Sequence, residues 1–293
     1  MNASSALKYN LTRIAPTPSG FLHLGNVYNF ALTARLARKH NADILLRIDD
    51  MDQDRVNIAY LQDIFDTLSF LDIPFNRGPK DVRELYANFS QTNRMVIYEQ
   101  MLHQLLETGR IFACNCSRSK ILKRSPTGTY PGTCRDKKID PGTPGVAWRL
   151  RTSHHTAIIV KAPDGYNAFF LPESQRDLVV RKKDGFPSYQ LTSLADDLHF
   201  GTDLIVRGKD LWDSTLAQLY IASLIKAKPF ADVTFVHHDL LTHADGTKLS
   251  KSAGATSIQH LRKEGKSASD IYRLLGTLTG QSGQLNSWQD LSV

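Results

Sequence analysis

Apolar residues recur at helical spacing between Asn26 and His40, at Val27, Phe30, Ala31, Ala34, Leu36 and Ala37, which predicts an amphipathic helix. Ahead of it, Leu11 to Ile14 reads as a short strand running into a Pro-Ser-Gly turn. Behind it, Ile44 to Ile48 is an apolar run interrupted only at Arg47, the pattern of a buried strand. Asn57 to Leu71 is again amphipathic. Strand, glycine turn, helix, strand, helix opens a doubly wound parallel α/β sheet, whose ligands bind outside the carboxyl ends of the strands. Tyr98 to Thr108 reads as a helix leading into a strand at Ile111 to Ala113. From about 114 to 180 the pattern changes. Short strands such as Ala157 to Val160 are broken by Pro126, Pro131, Pro141, Pro144 and Pro163, the mark of an inserted α+β subdomain. Alternation resumes with a helix at Tyr189 to Leu198, a strand at Asp203 to Val206, a helix at Trp212 to Lys226 and a strand at Val233 to Val236. Ser257 to Gly276 reads as one closing helix. The expected organisation is two halves of a catalytic domain at 1–110 and 186–256, an insertion at 111–185 and a short helical tail at 257–293.

Composition narrows the class. The 293 residues are 41% hydrophobic and 22% charged, ordinary for a soluble globular protein. No apolar run approaches the roughly 20 residues of a membrane span, and the first residues lack a signal core. No membrane partner and a cytoplasmic location are therefore expected. The net charge of +7 permits a polyanionic partner. Basic residues gather at Arg118, Lys120, Lys123, Arg124, Arg135, Lys137 and Lys138, and again at Arg262, Lys263, Lys266 and Arg273. Each group reads either as solvated surface or as RNA backbone contact. The three cysteines all lie between 114 and 134, an odd number in a chain without a secretion signal, which points to metal rather than disulfides.

Four constellations carry chemistry. The first is the stretch from Ala15 to Asn26, Ala-Pro-Thr-Pro-Ser-Gly-Phe-Leu-His-Leu-Gly-Asn. Gly25 lets a flat base approach the backbone, the following helix N-terminus offers N–H groups to phosphate, and His23 can donate to a phosphate oxygen. More than two hundred residues later, Lys248-Leu-Ser-Lys-Ser252 can bring a cation onto the phosphates as charge shifts. The second is Arg47 to Arg55, where a carboxylate either faces a cleft to pair an ammonium group or fix an arginine, or belongs to a solvated acidic loop. In the third, Tyr189 and Ser193 lie one helical turn apart. Arg207, ending the next strand, either grips a ligand carboxylate or pairs with its neighbour Asp210. The fourth is Cys114, Cys116, Tyr130 and Cys134, three thiolates and a phenolate that suit a tetrahedral structural zinc. His154 or His155 could replace Tyr130, or the cysteines could be free thiols.

In their order and separation, the histidine-glycine stretch and Lys-Leu-Ser-Lys-Ser resemble the two signatures of class I aminoacyl-tRNA synthetases. From about Arg13 to Ser252 the chain resembles the catalytic half of glutamyl-tRNA synthetases, and more closely their truncated paralogues that load glutamate onto queuosine in aspartate tRNA. Arg207-Gly-Lys-Asp-Leu-Trp-Asp-Ser-Thr215, Cys-x-Cys followed by Tyr-x-Gly-x-Cys-Arg ending at Arg135, and Pro-Ser-Gly at 18–20 carry this closer likeness. The chain stops about forty residues after the lysine motif, so no anticodon-binding domain is expected.

The resemblance implies a Rossmann-like fold and a ligase, expected as a monomer, that uses ATP with Mg2+, glutamate and tRNA(Asp). It implies that Pro16, His23, Gly25 and Asn26 bind ATP, with His23, Gly25, Lys248 and Lys251 serving catalysis and Lys251 on the phosphates. It implies an amino-acid pocket of Arg13, Ala15, Thr17, Asp49, Tyr189, Ser193 and Arg207, with Asp49 at the substrate α-amino group and Arg207 on its γ-carboxylate. Cys114, Cys116, Tyr130 and Cys134 would hold structural Zn2+. Asp49 stands where the family has glutamate, Thr17 where serine is common, and Asn26 at a variable position. The first two departures touch the amino-acid pocket. They leave open an adenylating enzyme with another amino acid or a non-tRNA acceptor, and a non-catalytic RNA-binding paralogue is the reading of a different class.

Overall fold

The computed structural model describes residues 8–241, 257–281 and 284–292. In chain order these form β1 (Leu11–Ile14), α1 (Leu24–His40), β2 (Asp43–Leu46), α2 (Ile58–Phe70), α3 (Val82–Glu84), α4 (Met95–Glu107), β3 (Ile111–Cys114), α5 (Arg118–Arg124) and β4 (Ala147–Leu150). There follow β5 (Ala157–Ala162), β6 (Gly165–Phe170), β7 (Val179–Arg181), α6 (Tyr189–Phe200), β8 (Leu204–Gly208), α7 (Trp212–Leu224), α8 (Lys228–Ala231), β9 (Thr234–His238), α9 (Ile258–Lys263) and α10 (Ala268–Thr279). The helices and strands expected from periodicity are present, with one correction at the tail. The single helix expected over Ser257 to Gly276 is two, α9 and α10. Gly265, at φ +79°, turns the chain into a left-handed conformation that no helix continues through, and Ser267 caps α10 by a capping box.

The chain divides into two compact units. The first comprises residues 1–93, 202–209 and 236–293, the second 94–201 and 210–235.

In the first unit β1 pairs in parallel with β2 on one side and β8 on the other, and β9 lies next to β8 in the strand order. The crossover from β1 to β2 is α1, as a parallel pair requires. Its face of Val27, Phe30, Ala31, Ala34 and Ala37 joins Ile14, Leu46, Ile64 and Leu68 in the main core. Asp203 locks β8 to β1, accepting the backbone N–H groups of Asn10 (2.8 Å) and Leu11 (3.0 Å).

In the second unit β3, β4 and β7 form a three-stranded sheet, antiparallel at each pairing. β5 and β6 form an antiparallel hairpin, and Lys161 of β5 pairs in parallel with Thr234 at the start of β9. Among the described residues no helix is long and apolar enough to cross a membrane.

Candidate active site

Residue His23 is the N-cap of α1. Its Nδ1 accepts the Gly25 N–H at 3.1 Å, and the Asn26 side-chain oxygen accepts the His23 N–H at 3.1 Å, a capping box built without Ser or Thr. The local sequence gives a second reason for Gly25. A Cβ there would stand 3.0 Å from His23 Cε1 and 3.1 Å from Nδ1, so any side chain would shift the ring against its cap. With Nδ1 accepting, the neutral ring carries its proton on Nε2, the tautomer that can donate to a phosphate oxygen. The first turn of α1 holds no acidic residue of its own to oppose an anion at its positive end.

The carboxyl ends of the strands in this unit carry the charged groups. Asp49 N–H donates to the Pro16 carbonyl at 2.9 Å, extending the β1–β2 ladder and setting Asp49 beside the segment that includes Ala15 and Thr17. Its carboxylate forms a buried two-point pair with Arg47, at 2.7 Å to Nε and 3.1 Å to Nη2. The Arg47–Arg55 stretch therefore is not uniformly a solvated loop. Asp49 fixes an arginine. Asp50 is fully buried and accepts Ser90 Oγ and Gln91 N–H, each at 2.7 Å, while Asp52 and Asp54 are exposed. Pro16 is buried and Thr17 exposed.

Two buried arginines face the same region. Arg13, in β1, donates to the Val206 carbonyl at 3.3 Å, and Arg207, in β8, is 1% exposed. Both act on His237 near the end of β9. Burial first, then Arg207, His238, Arg13 and Lys209, hold the His237 imidazolium down to about 3, so the ring is neutral at ordinary pH. Next to burial, the positive charge of Arg207 and Arg13 disfavours a further proton on this ring.

In the second unit α6 carries Tyr189, 40% exposed, and Ser193, fully buried. Asp196 of the same helix is a core residue. Arg94 grips it by two bonds (2.7 and 3.0 Å), and Tyr98 donates at 2.7 Å.

The three cysteine Sγ atoms lie within 4.8 Å of one another. A zinc ion bound to thiolates at about 2.3 Å in a tetrahedron sets them about 3.8 Å apart, so the donor set fits a metal with small adjustment. Tyr130 Oη lies 3.4 Å from Cys114 Sγ and accepts the Cys134 N–H at 2.7 Å, which aims it into the group. Burial and the neighbouring thiols push Cys116 up to about 11. Burial acts to raise Cys134 too, but hydrogen bonds led by the Asn115 backbone outweigh it and leave this thiol below its ordinary value. The His154 alternative is turned elsewhere, with Nδ1 2.9 Å from the Leu171 carbonyl oxygen. His155 is exposed.

Sequence reasoning missed His237. The His-His doublet at a strand end was its one signal, and the pairing of β9 with its neighbours could not be read from it. Lys248 and Lys251 lie outside the described residues. Of the basic groups, Arg262 stacks over the Phe70 ring (5.3 Å) and Arg273 pairs with Asp270, while Lys120, Lys123 and Lys263 are exposed.

A parallel-stranded unit with this capped turn after its first strand has the form of a nucleotide-binding synthetase domain. Residues 11–286 match the family model described as tRNA synthetases class I (E and Q), catalytic domain, and the chain belongs to that family of ligases. It is similar to the glutamyl-Q tRNA(Asp) synthetase of Nitratidesulfovibrio vulgaris, 32% identical over 92% of this chain and 86% of the relative. It is also similar to the protein of that name from Prochlorococcus marinus MIT 9313, 33% identical over 88% and 78%. Glutamate–tRNA ligase 2 of Syntrophus aciditrophicus is 28% identical, and this chain spans 60% of it. Among solved structures, a glutamate tRNA ligase from Elizabethkingia meningosepticum in complex with its amino acid shares the fold, with TM-score 0.75 at 19% identity over 97% of this chain and 65% of that one.

Proposed function

We propose that the protein activates glutamate with ATP and passes it to queuosine in the anticodon of tRNA(Asp). The observation that carries the amino-acid half is the group of Arg13, Arg207 and neutral His237 at the strand ends. An acidic side chain placed there meets two fixed guanidinium groups and no competing positive imidazolium. The names of the relatives at 32–33% identity support the acceptor.

In the first step a glutamate carboxylate oxygen attacks the α-phosphorus of ATP, the Pα–O bond to the β-phosphate breaks, and pyrophosphate leaves. In the second, a nucleophilic oxygen of queuosine takes the glutamyl group, and AMP leaves. No covalent enzyme intermediate is needed, so positioning and charge stabilisation carry the rate. His23 Nε2–H and the N-terminus of α1 hold phosphate oxygens, and Gly25 admits the adenine. Arg207 and Arg13 hold the substrate γ-carboxylate. Asp49, anchored by Arg47, receives the α-ammonium group. Lys248 and Lys251 meet the phosphates. Mg2+, when bound with ATP, neutralises phosphate charge. Cys114, Cys116, Tyr130 and Cys134 would hold a zinc ion, which with four protein ligands has no open position and serves structure.

ATP–pyrophosphate exchange across the standard amino acids, followed by transfer of labelled glutamate to aspartate tRNA with and without queuosine, tests both halves. Glutamate should be preferred, and transfer should require queuosine. Preference for another amino acid would overturn the first half, and equal loading of unmodified tRNA the second.

A further inference from the structure

The peptide of Leu22, immediately before the cap residue His23, is held from two sides. Its N–H donates to Oδ2 of Asp63 at 2.9 Å. Its carbonyl accepts the Ile258 N–H at 2.8 Å, and beside it His23 and Ser257 form an isolated antiparallel bridge. One short segment therefore carries the His23 cap and meets Ser257 and Ile258.

Helix α2 supplies the grip. Asp63 lies on its buried face among Leu61, Ile64, Phe65 and Leu68, and is itself 3% exposed. One turn earlier, Tyr60 meets the Phe21 ring edge-to-face at 4.9 Å. Tyr60 and Asp63, three residues apart on one helix face, hold the consecutive residues Phe21 and Leu22. Within the turn, Pro16 and Pro18 have no N–H to give. A buried aspartate on a largely apolar helix face is a poor choice for packing alone. Burial raises its carboxyl above the ordinary range, against the lowering effects of the Leu22 N–H, Arg262 and Thr67. The acid stands just ahead of α1, whose own first turn is free of acids, so it orders the entry to the helix without occupying the anion-binding end.

We infer that Asp63 is a positioning residue for the ATP site, which fixes the Leu22 peptide and through it the His23 cap and the start of α1. The inference rests on the ATP-dependent reading above. A shift of about 1 Å in groups that hold a reacting phosphate is enough to cost on the order of a hundredfold in rate.

The test measures ATP–pyrophosphate exchange with ATP and glutamate varied separately, alongside thermal melting. In Asp63→Ala the KM for ATP should rise about tenfold or more, with the KM for glutamate within about twofold of wild type. Asp63→Asn, whose amide oxygen still accepts the Leu22 N–H, should recover most of the loss. Thr67→Val removes the other side-chain partner of Asp63, at 3.4 Å, and should behave as wild type. If the alanine variant does not fold, Asp63→Ser, too short to reach the Leu22 N–H, carries the same expectation. A folded Asp63→Ala or Asp63→Ser with an unchanged KM for ATP overturns the inference, as does a Thr67→Val variant impaired equally with alanine. A wild type without ATP-dependent exchange removes the proposed function as well, so the two failures are distinct.

Discussion

His23 turns its Nδ1 onto the N–H of Gly25, two residues ahead in its own sequence, at 3.1 Å. The ring closes α1 and is fixed in the tautomer with the proton on Nε2. Glycine at 25 is required by that ring. Gly25→Ala would place Cβ 3.0 Å from Cε1, tight enough that the ring must give way by a few tenths of an ångström. The variant should remain folded, because a shift of a few tenths of an ångström relieves the contact, yet lose about tenfold or more in ATP affinity as the donor moves. Equilibrium ATP binding beside a melting curve separates the two effects, and wild-type affinity would show that the ring does not serve ATP.

Removing Arg207 should separate the two substrates. Arg207→Ala is expected to lose glutamate-dependent exchange by about 3–5 kcal/mol of transition-state binding, since the substrate carboxylate is left buried and unpartnered. ATP should still bind. Exchange at the wild-type rate would remove Arg207 from the pocket.

The state of His237 reports on the same group. Its folded pKa is about 3 against an ordinary 6.5, so below 6.5 the unfolded chain binds a proton that the folded chain refuses. Stability is therefore lost as pH falls from 6.5 toward 3, at up to about 1.4 kcal/mol per pH unit. His237→Gln should be less acid-sensitive than wild type over that window. By NMR, the His237 ring should not titrate between pH 4.5 and 8 in the wild type, and should move upward in Arg207→Ala. A wild-type midpoint near 6.5 would contradict the cation group.

Protein purified without chelator should carry about one zinc per chain, by elemental analysis. Cys114→Ser with Cys116→Ser should lose it and melt at lower temperature, because metal binding free energy is folding free energy at such a site. Metal-free wild type would leave the three thiols as a packing cluster.

Asp196 belongs to the scaffold. Asp196→Ala leaves the Arg94 guanidinium and the Tyr98 hydroxyl buried without their acceptor and should cost about 3–5 kcal/mol in chemical denaturation. The KM for glutamate of the folded fraction should not change. A selective rise in KM at unaltered stability would overturn this scaffold role.

Much of this protein is local and was legible in the chain. The periodicity from Asn26 to His40 placed α1 because a helix buries residues three and four apart. The glycine stretch placed the turn before it, and the spacing of Cys114, Cys116 and Cys134 placed the thiol group, since the loop between them is short enough to close on itself. Other properties depend on residues distant in sequence. That Arg13, Arg207 and His237 share one electrostatic environment follows from β1, β8 and β9 lying in neighbouring positions of a sheet, an order no single strand encodes. That Asp49 holds Arg47, Asp50 is sealed under Ser90 and Gln91, and Asp196 is claimed by Arg94 are outcomes of burial. Inside a protein an acid must find its donors, and which donors lie within reach is decided by tertiary packing. The sequence by itself determined the elements and the chemistry available at their ends. Only the fold decided which of those charged groups lie within reach of one another.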